Sequence, residues 1–139
     1  MIGTFDIHST LATVLFYSRA SHTFISQAFI RTHNIPPCAM KNPITVNSLE
    51  GTILASHCCF PINLTLRGVD FKVSPILLRT AGVDLILGMD WMMQQDVKIK
   101  CEGKVMELTS PTGDLLNVKV KVHKQKIAIV NHLDDDANP

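Results

Sequence analysis

The feature of this sequence that most constrains its fold is a series of short apolar runs, separated by turn residues at regular spacing. Runs of this length, bounded by Gly, Pro, Asn, Asp and Ser, are typical of strands in an all-β domain. Little of the chain is left for helices. The predicted strands are Gly3–Ile7, Ala12–Phe16, Ile44–Val46, Thr52–Ser56, Pro61–Leu66, Val69–Leu78, Val83–Leu87, Val97–Cys101, Val105–Thr109 and Leu115–Val122.

Turn chemistry predicts how several of these strands are joined. A glycine suited to positive φ lies in each of three connections, which predicts tight hairpins and a meander near the C-terminal end. These connections are Leu66–Val69, Lys100–Lys104 and Ser110–Asp114. The stretch Asn47–Thr52 contains a single glycine and reads as the tip of a projecting hairpin, which would either close over a cleft or lie on the surface.

Two short helices are also predicted. One covers Ser26–His33, and the other covers Asp90–Gln95, where the Asp90 carboxylate would cap the first free N–H groups. The remaining irregular segment is the C-terminal tail, residues 123–139, which we expect to be disordered at its acidic end. The organisation expected is therefore one domain over residues 1–122, followed by the tail.

Composition and charge narrow the class of protein. The 139 residues are 46% hydrophobic and 18% charged, as expected for a globular domain with a core. A net charge of +1 provides no general attraction to nucleic acid or to a membrane surface. The first residues lack a basic segment before their apolar run, and no run approaches the ~18 apolar residues of a membrane span. We therefore expect an intracellular protein, in the cytoplasm or the nucleus.

The four cysteines, Cys38, Cys58, Cys59 and Cys101, show no C-x-x-C spacing. This disfavours both a zinc ribbon and a simple disulfide framework, so we expect reduced and mostly buried thiols. His57 next to Cys58 and Cys59 is the one cluster that resembles metal ligands. Adjacent residues of a strand point to opposite faces, so we predict no metal there, and no cofactor elsewhere.

The run from Val118 to Lys126 alternates valine and basic residues. As a strand it would place Lys119 and Lys121 on one face and the valines on the other, which is typical of a solvated edge strand. A nucleic-acid-binding strip that also includes Lys124 and Lys126 is the alternative, although aromatic residues that could stack on bases are missing from the run.

Several segments, in order and spacing, resemble the retropepsin-like aspartic protease domain of plant gypsy-type LTR retrotransposons. The resemblance covers roughly residues 2 to 118. Its pieces are Ile2–Phe5, VLFYSRASHTFIS over Val14–Ser26, His33–Pro36, Leu66–Phe71, DLILGMDW over Asp84–Trp91, and Leu108–Gly113.

The resemblance implies a fold, a partner and a site. The fold is a closed, mostly antiparallel barrel with a flap hairpin, which pairs with a second copy. Each copy supplies one Asp from a D-[ST]-G-A loop, and the two carboxylates share a proton so that one activates water while the other protonates the substrate. The flap, which would contact a bound peptide, is Asn47, Ser48, Leu49, Glu50, Gly51 and Thr52. The structural block behind the active loop contains Ile86, Leu87, Gly88, Asp90 and Trp91.

The sequence departs from the family in the loop itself, where the expected D-S-G-A reads Tyr17-Ser18-Arg19-Ala20. A phenol with a pKa of about 10 cannot be the base that activates water near neutral pH, so we predict no catalytic residue here. Arg19 replaces a glycine at a tight turn beside the two-fold axis. Two guanidinium groups at about 4 Å would repel by roughly 4 kcal/mol at an effective dielectric of 20, unless an anion bridges them or they swing outward. This repulsion would weaken the family homodimer.

The favoured function is a retropepsin-like pseudoprotease that binds proteins or peptides. The alternative is an active aspartic endopeptidase of retrotransposon polyprotein type, which would need an intact partner copy or a non-standard carboxylate. The substitute acids considered are Asp6, Asp70, Asp84 and Asp90, although the resemblance gives Asp84 and Asp90 structural roles. A hydrolase triad of Ser18, His22 and Asp6 is disfavoured, because no nucleophile elbow surrounds Ser18.

Overall fold

The computed structural model describes residues 1–48, 51–100 and 102–122. Strands dominate these residues, and two short helices accompany them. The strands are β1 Ile2–Ile7, β2 Thr10–Phe16, β3 Phe24–Ser26, β4 Pro37–Ser48, β5 Gly51–Cys59, β6 Ile62–Leu66, β7 Val69–Val73, β8 Ile76–Leu78, β9 Leu85–Leu87, β10 Lys98–Lys100, β11 Val105–Thr109 and β12 Leu115–Lys119. The helices are α1 Gln27–Thr32 and α2 Met89–Gln94.

The described strands form two sheets. The larger has nine strands in the order β4-β5-β8-β3-β9-β2-β1-β6-β7, and the smaller is the meander β10-β11-β12. Most pairings are antiparallel, but β2 pairs with β9 and β3 pairs with β8 in parallel. The large sheet curls into a half-barrel whose outer strands are β4 and β7. The prediction of an all-β fold with one or two short helices is confirmed.

The central strands are buried on both faces, which accounts for their continuous apolar sequence. In β2, Val14 and Phe16 enter one hydrophobic cluster while Leu15 enters another, because alternate side chains of a strand point to opposite faces. In β9, Leu85 and Leu87 enter the first cluster and Ile86 enters the second. The sheet is therefore the middle layer between two apolar cores.

Each core is closed by different elements. The larger one contains residues from both helices and from the meander, with Trp91 packed edge-on against Phe71 at 5.7 Å between ring centroids. The smaller one contains Val46 and Ala55, which come from the two strands of the β4–β5 hairpin. The hairpin thus contributes to the core through the part of its ladder next to the tip, where Ser48 lies opposite Gly51.

The predicted elements are found with three main differences. The run Val69–Leu78 is two strands, because Pro75 has no N–H group for a ladder and the chain leaves the sheet there. Strand β3 was not predicted as a strand, and β4 begins at Pro37, well before the predicted Ile44. The three predicted hairpin glycines, Gly68, Gly103 and Gly113, all have positive φ (78°, 86° and 92°).

Helix α1 matches its prediction closely. It is capped by the Ser26 hydroxyl, which accepts the Phe29 N–H at 3.3 Å, and it ends at His33. The Asp90 carboxylate accepts one free N–H group of the first turn, that of Trp91, at 2.7 Å, but Asp90 is not at the N-cap position. Gly88 is the N-cap of α2 and provides no side-chain cap, while Asp90 lies inside the first turn.

Candidate functional site

The loop over residues 17–23 begins where β2 ends, at the edge of the sheet that β2 and β9 share. Because these strands are parallel, their carboxyl ends lie at the same edge, and the Tyr17 N–H donates to the Leu87 carbonyl at 2.9 Å. The Phe16 N–H donates to the Met1 carbonyl at 2.7 Å, and the Ala20 N–H closes a turn onto the Tyr17 carbonyl at 3.2 Å. Main-chain bonds on both sides therefore fix residue 17.

The second half of the loop is held by the start of α2. The N–H groups of Met89 and Asp90 donate to the carbonyls of Ala20 (2.7 Å) and Ser21 (3.3 Å). Gly88 makes this approach sterically allowed, since a β-carbon there would lie 2.2 Å from the His22 carbonyl oxygen and 2.7 Å from that of Ala20. The glycine of the I-L-G-M-D-W stretch is thus required by close packing of backbone on backbone.

A buried hydroxyl links the end of the loop to the same turn. Thr23 is 3% exposed, and its hydroxyl donates to the Asp90 carboxylate at 2.7 Å while accepting the Gly88 N–H at 3.2 Å. The same Asp90 oxygen accepts the Trp91 N–H at 2.7 Å. Asp90 therefore pairs with backbone and hydroxyl groups behind the loop.

Asp84 is also bound to backbone, on the strand side of the loop. Its carboxylate accepts the Thr13 N–H at 2.8 Å, and its main-chain N–H donates to the Thr13 carbonyl at 2.9 Å. The Ser26 N–H donates to the Asp84 carbonyl at 2.8 Å. The Asp84 carboxylate therefore links the start of β9 to β2, and its hydrogen-bond partner is a backbone N–H group.

The side chains of the loop divide by exposure. Tyr17 is half-buried and packs against the smaller core cluster, the one that includes Val46 and Ala55 of the hairpin, whereas Ser18 and Arg19 are exposed. Arg19 is not among the residues with positive φ, so within one chain this turn does not need glycine. The turn of the single chain therefore gives no reason for glycine, while the crowding and the repulsion expected beside a dimer axis stay predictions.

A cavity of about 620 Å³ opens beside the loop. Its walls are mostly apolar, with several methionines. The lining residues are Met1, Phe16, Tyr17, Ser18, Arg19, Met89, Met92, Met93, Asp96, Val97 and Ile99. Of these, Asp96 is the acidic one, and its carboxylate lies 3.7 Å from the Lys98 ammonium. We call this cavity the methionine groove.

Sequence reasoning missed the methionine groove and the position of Asp96. Three of the lining methionines lie on α2, and Asp96 follows that helix with a positive φ of 51°. The available signal was three methionines, Met89, Met92 and Met93, in or directly before one predicted short helix close to the 17–23 loop. A helix of this length cannot bury three such closely spaced side chains, so at least one of them is exposed.

The hairpin predicted as a flap is present over its described residues. Asn47 pairs with Thr52 and Ser48 with Gly51, and the Ser48 hydroxyl donates to the Gly51 carbonyl at 2.9 Å. Gly51 has a positive φ of 124°. The two tip residues Leu49 and Glu50 lie outside the described residues, so the predicted contact of the tip with a peptide stays a prediction.

The other acidic candidates lie away from the loop. Asp6 is on β1, five residues from Met1, and at ~3.3 Å per residue it is roughly 16 Å from the end of β1 that bonds to Phe16, the residue before the loop. Asp70 accepts the Thr65 hydroxyl at 2.7 Å on an exposed hairpin. The arrangement does not bring Asp6 to Ser18 and His22, so the geometry gives no support to a hydrolase triad.

The cysteines are less buried than predicted. Cys59 is 4% exposed, whereas Cys38 and Cys58 are both half-exposed, and Cys101 lies outside the described residues. Burial raises the pKa of the Cys59 thiol to about 11. Within the described ranges, no group of three or more His, Cys, Asp or Glu side chains is placed to hold a metal ion.

The basic strip is only partly described. Val118 and Val120 are buried while Lys119 and Lys121 are exposed, which is the predicted alternation, and Lys124 and Lys126 lie outside the described residues. Lys121 also forms an antiparallel bridge with Ile2. Of the two described helices, neither has the length and hydropathy needed to cross a membrane.

The fold and the loop define a retropepsin-like domain. The chain belongs to the retroviral aspartyl protease family, whose family model matches residues 1–114. Among solved structures, the retroviral protease-like domain of Ddi1 from Leishmania major is similar, with a TM-score of 0.61 at 11% sequence identity over 90% of this chain and 96% of that chain. That identity supports the shared fold alone. No curated protein matches the sequence.

Proposed function

We propose that this chain is a catalytically inactive retropepsin-like pseudoprotease, derived from the polyprotein of a plant gypsy-type retrotransposon, that acts by binding a protein or peptide inside the cell. The observation that carries the proposal is Tyr17. It stands where the family resemblance expects the catalytic Asp, and the Tyr17 N–H bond to Leu87 anchors it there. A tyrosine hydroxyl does not supply the carboxylate that activates water in the dyad.

The surroundings of the loop support this proposal, because the nearby acids already have structural partners. Asp84 accepts a backbone N–H and Asp90 accepts both a hydroxyl and a backbone N–H. Asp96 lies in the methionine groove close to Lys98, with its side chain 69% exposed. Asp96 follows α2 and is not part of the 17–20 loop, so it does not occupy the position from which the family resemblance expects an acid to meet that of a second copy.

The methionine groove is the binding surface we propose. Met93 is 72% exposed and Ile99 is 48% exposed, and both line the groove beside the loop. Methionine side chains are flexible and polarizable, and they are common on surfaces that accept varied apolar partners. Arg19 at the rim would favour a partner with an acidic group next to its apolar contact. The partner is a different protein or peptide, and a second copy of this chain is the competing occupant.

A peptide bound under the hairpin is a weaker form of the same proposal. An extended peptide can add to a strand edge through backbone hydrogen bonds, which need no catalytic Asp. However, Tyr17 packs toward the core cluster that the hairpin closes, so its ring takes up part of that space. The methionine groove, which Tyr17 also lines, keeps a cavity of about 620 Å³.

The test of inactivity is a cleavage assay on a diverse peptide pool between pH 4 and 7. The native chain is compared with the double variant Tyr17→Asp/Arg19→Gly and with each single variant. We expect no cleavage by the native chain. Pepstatin-sensitive cleavage by the native chain would overturn the proposal, whereas cleavage by the double variant alone would attribute the inactivity to these two residues.

The test of binding uses Met93→Lys and Ile99→Lys, with Leu11→Lys as the matched control. Leu11 is 68% exposed and lies on β2 outside the groove lining, so its variant carries the same added charge without altering the groove. We expect both groove variants to lose at least tenfold in affinity for peptides selected from a display library, and the control to retain it. Equal affinity in all three would exclude the groove. Sedimentation of the same proteins reports whether a second copy occupies it.

A further inference from the structure

Two thiols face each other across the β4–β5 hairpin. Cys38 and Cys58 are directly opposed in the antiparallel register, and their Sγ atoms lie 3.2 Å apart although they are 20 residues apart in sequence. The two thiols are in hydrogen-bonding contact but are not joined by a covalent bond, and both cysteines are free. Neither residue lines the methionine groove or belongs to the loop.

This geometry suits a disulfide bond. Opposed residues of antiparallel strands have Cα atoms about 4.5–5.5 Å apart, within the range of about 4.4–6.8 Å that disulfides span. The sulfur atoms need to approach by only about 1 Å to reach a bond length of about 2.05 Å. We propose that Cys38 and Cys58 are a reversible thiol-oxidation site, which forms an intrachain disulfide between strands β4 and β5.

Exposure makes the pair selective. Cys38 and Cys58 are both half-exposed, so a small oxidant can reach either sulfur. Cys59 is next to Cys58 but its side chain points to the opposite face, where it is 4% exposed within the larger core cluster. Burial, with a pKa of about 11, keeps the Cys59 thiol protonated and unreactive.

The oxidant we name is a low-molecular-weight disulfide such as oxidised glutathione. The thiolate of one cysteine attacks a glutathione sulfur, which breaks the S–S bond and releases one glutathione thiolate. The second cysteine then loses its proton and attacks the mixed disulfide, which releases the other glutathione. The protein loses two electrons and two protons, and the oxidant becomes two molecules of glutathione.

The rate of this exchange depends on pH. The hydrogen bond with the Cys38 thiol, followed by burial, raises the pKa of Cys58, so this thiol is largely protonated near neutral pH. Because the attacking species is a thiolate, the exchange should accelerate as the pH rises from 7 toward 9.

The bond would hold the root of an edge strand. β4 is the outer strand of the large sheet, and its register with β5 is interrupted between Ala39 and Ile44. β5 is anchored inward, with Cys58 opposite Ile76 and the Cys59 N–H donating to the Pro75 carbonyl at 3.0 Å. A Cys38–Cys58 bond would therefore tie the short root ladder of β4 to the sheet, independently of the interruption.

The experiment is oxidation of the full chain with a glutathione redox buffer at pH 8, followed by alkylation under denaturing conditions, peptide mapping and intact mass. We expect the free thiols to fall from four to two, with a cross-linked peptide that joins Cys38 to Cys58 and a mass loss of two hydrogen atoms. Thermal unfolding of the oxidised chain should shift upward by about 5–10 °C, because the bond constrains the unfolded chain.

Matched variants separate this site from general oxidation. Cys38→Ser and Cys58→Ser should each abolish the cross-link and the thermal shift, while Cys59→Ser and Cys101→Ser should keep both. Circular dichroism before oxidation checks that each variant is folded. A cross-link that uses Cys59 or Cys101, a disulfide between chains, or glutathione retained on Cys38 without ring closure would overturn the proposal. Because these readouts involve no peptide or partner, they stand apart from the test of the proposed function.

Discussion

A β-carbon on Gly88 would lie 2.2 Å from the carbonyl oxygen of His22. That distance places the backbone of the loop directly on the backbone at the start of α2, with no side chain between them. The Met89 N–H bond to the Ala20 carbonyl, at 2.7 Å, depends on this contact. The glycine therefore determines how closely the loop can sit against its support.

Gly88→Ala should lower the free energy of unfolding by about 2–4 kcal/mol, since the clash is with backbone atoms that cannot move aside. Gly82→Ala is the control: its φ is 84°, but a β-carbon there meets nothing within 4 Å. Backbone strain alone should cost about 1 kcal/mol at that position. Urea unfolding measures both, and equal losses would contradict the steric argument.

Thr23→Val should destabilise the protein by about 1–3 kcal/mol, because the Gly88 N–H and the Asp90 carboxylate lose their shared partner in a nearly dry site. Thr23→Ser keeps the hydroxyl and should cost less than half as much. Thr65→Val removes a hydroxyl bond of the same length, 2.7 Å to Asp70, on an exposed hairpin. If Thr65→Val lowers the free energy of unfolding as much as Thr23→Val, burial does not explain the contribution of the Thr23 hydrogen bonds.

Arg19→Gly alone should not stabilise the single chain. Arg19 is exposed and lacks a positive φ, so glycine relieves no strain and adds freedom to the unfolded state. We expect a loss of up to about 1 kcal/mol in the free energy of unfolding, with Ser18→Gly as the neighbouring control. A clear gain in stability at low protein concentration would show that the turn is strained after all.

The Lys100–Glu107 ion pair gives a pH-dependent prediction. The Lys100 ammonium, which donates to the Glu107 carboxylate at 2.9 Å, lowers the pKa of that carboxyl below its ordinary value of 4.5. A depressed carboxyl pKa adds stability above pH 4.5, and this contribution is lost as the pH falls through the lower folded-state pKa. The thermal midpoint of Glu107→Gln should therefore lie below that of the native chain at pH 7, and the two should converge at acid pH. A constant gap would mean that the pair does not titrate as described.

The adjacent thiols of Cys58 and Cys59 should differ in their rate of alkylation in the native chain. Cys59 has a pKa of about 11 and is 4% exposed, so we expect it to react with iodoacetamide at pH 8 at least about 100-fold more slowly than a model thiol. In urea, which unfolds the chain, Cys59 should react as fast as the model thiol. Rapid native labelling of Cys59 would show that the root of the hairpin opens readily.

The sequence was sufficient to predict those elements that are stabilised by interactions between neighbouring residues. Hairpin glycines and apolar runs are read from a few neighbouring residues, and Ser26 lies three residues before the N–H that it caps. Strand β3 is only three residues long and leads directly into α1, so its sequence reads equally well as part of the helix. Its strand character comes from pairing with β8 and β9, which are distant in the chain.

The candidate site follows the same division. The family resemblance pointed to Tyr17 and the block behind it as the candidate site, but the partner of each polar side chain depended on packing. Asp90 accepts the hydroxyl of Thr23, a residue 67 positions away, rather than acting as the N-cap. The contact between Cys38 and Cys58 required the register of a hairpin that contains an irregularity, and no spacing rule within the sequence gives that register.

The bonds that hold the 17–23 loop have one further consequence. Tyr17 N, Tyr17 O, Ala20 O and Ser21 O are all main-chain atoms, and any residue other than proline at position 17 would present the same set. The surrounding main chain thus fixes the position of residue 17, whatever side chain the residue carries. In such a protein, a point mutation at this position can remove or replace a reactive side chain without changing the fold around it.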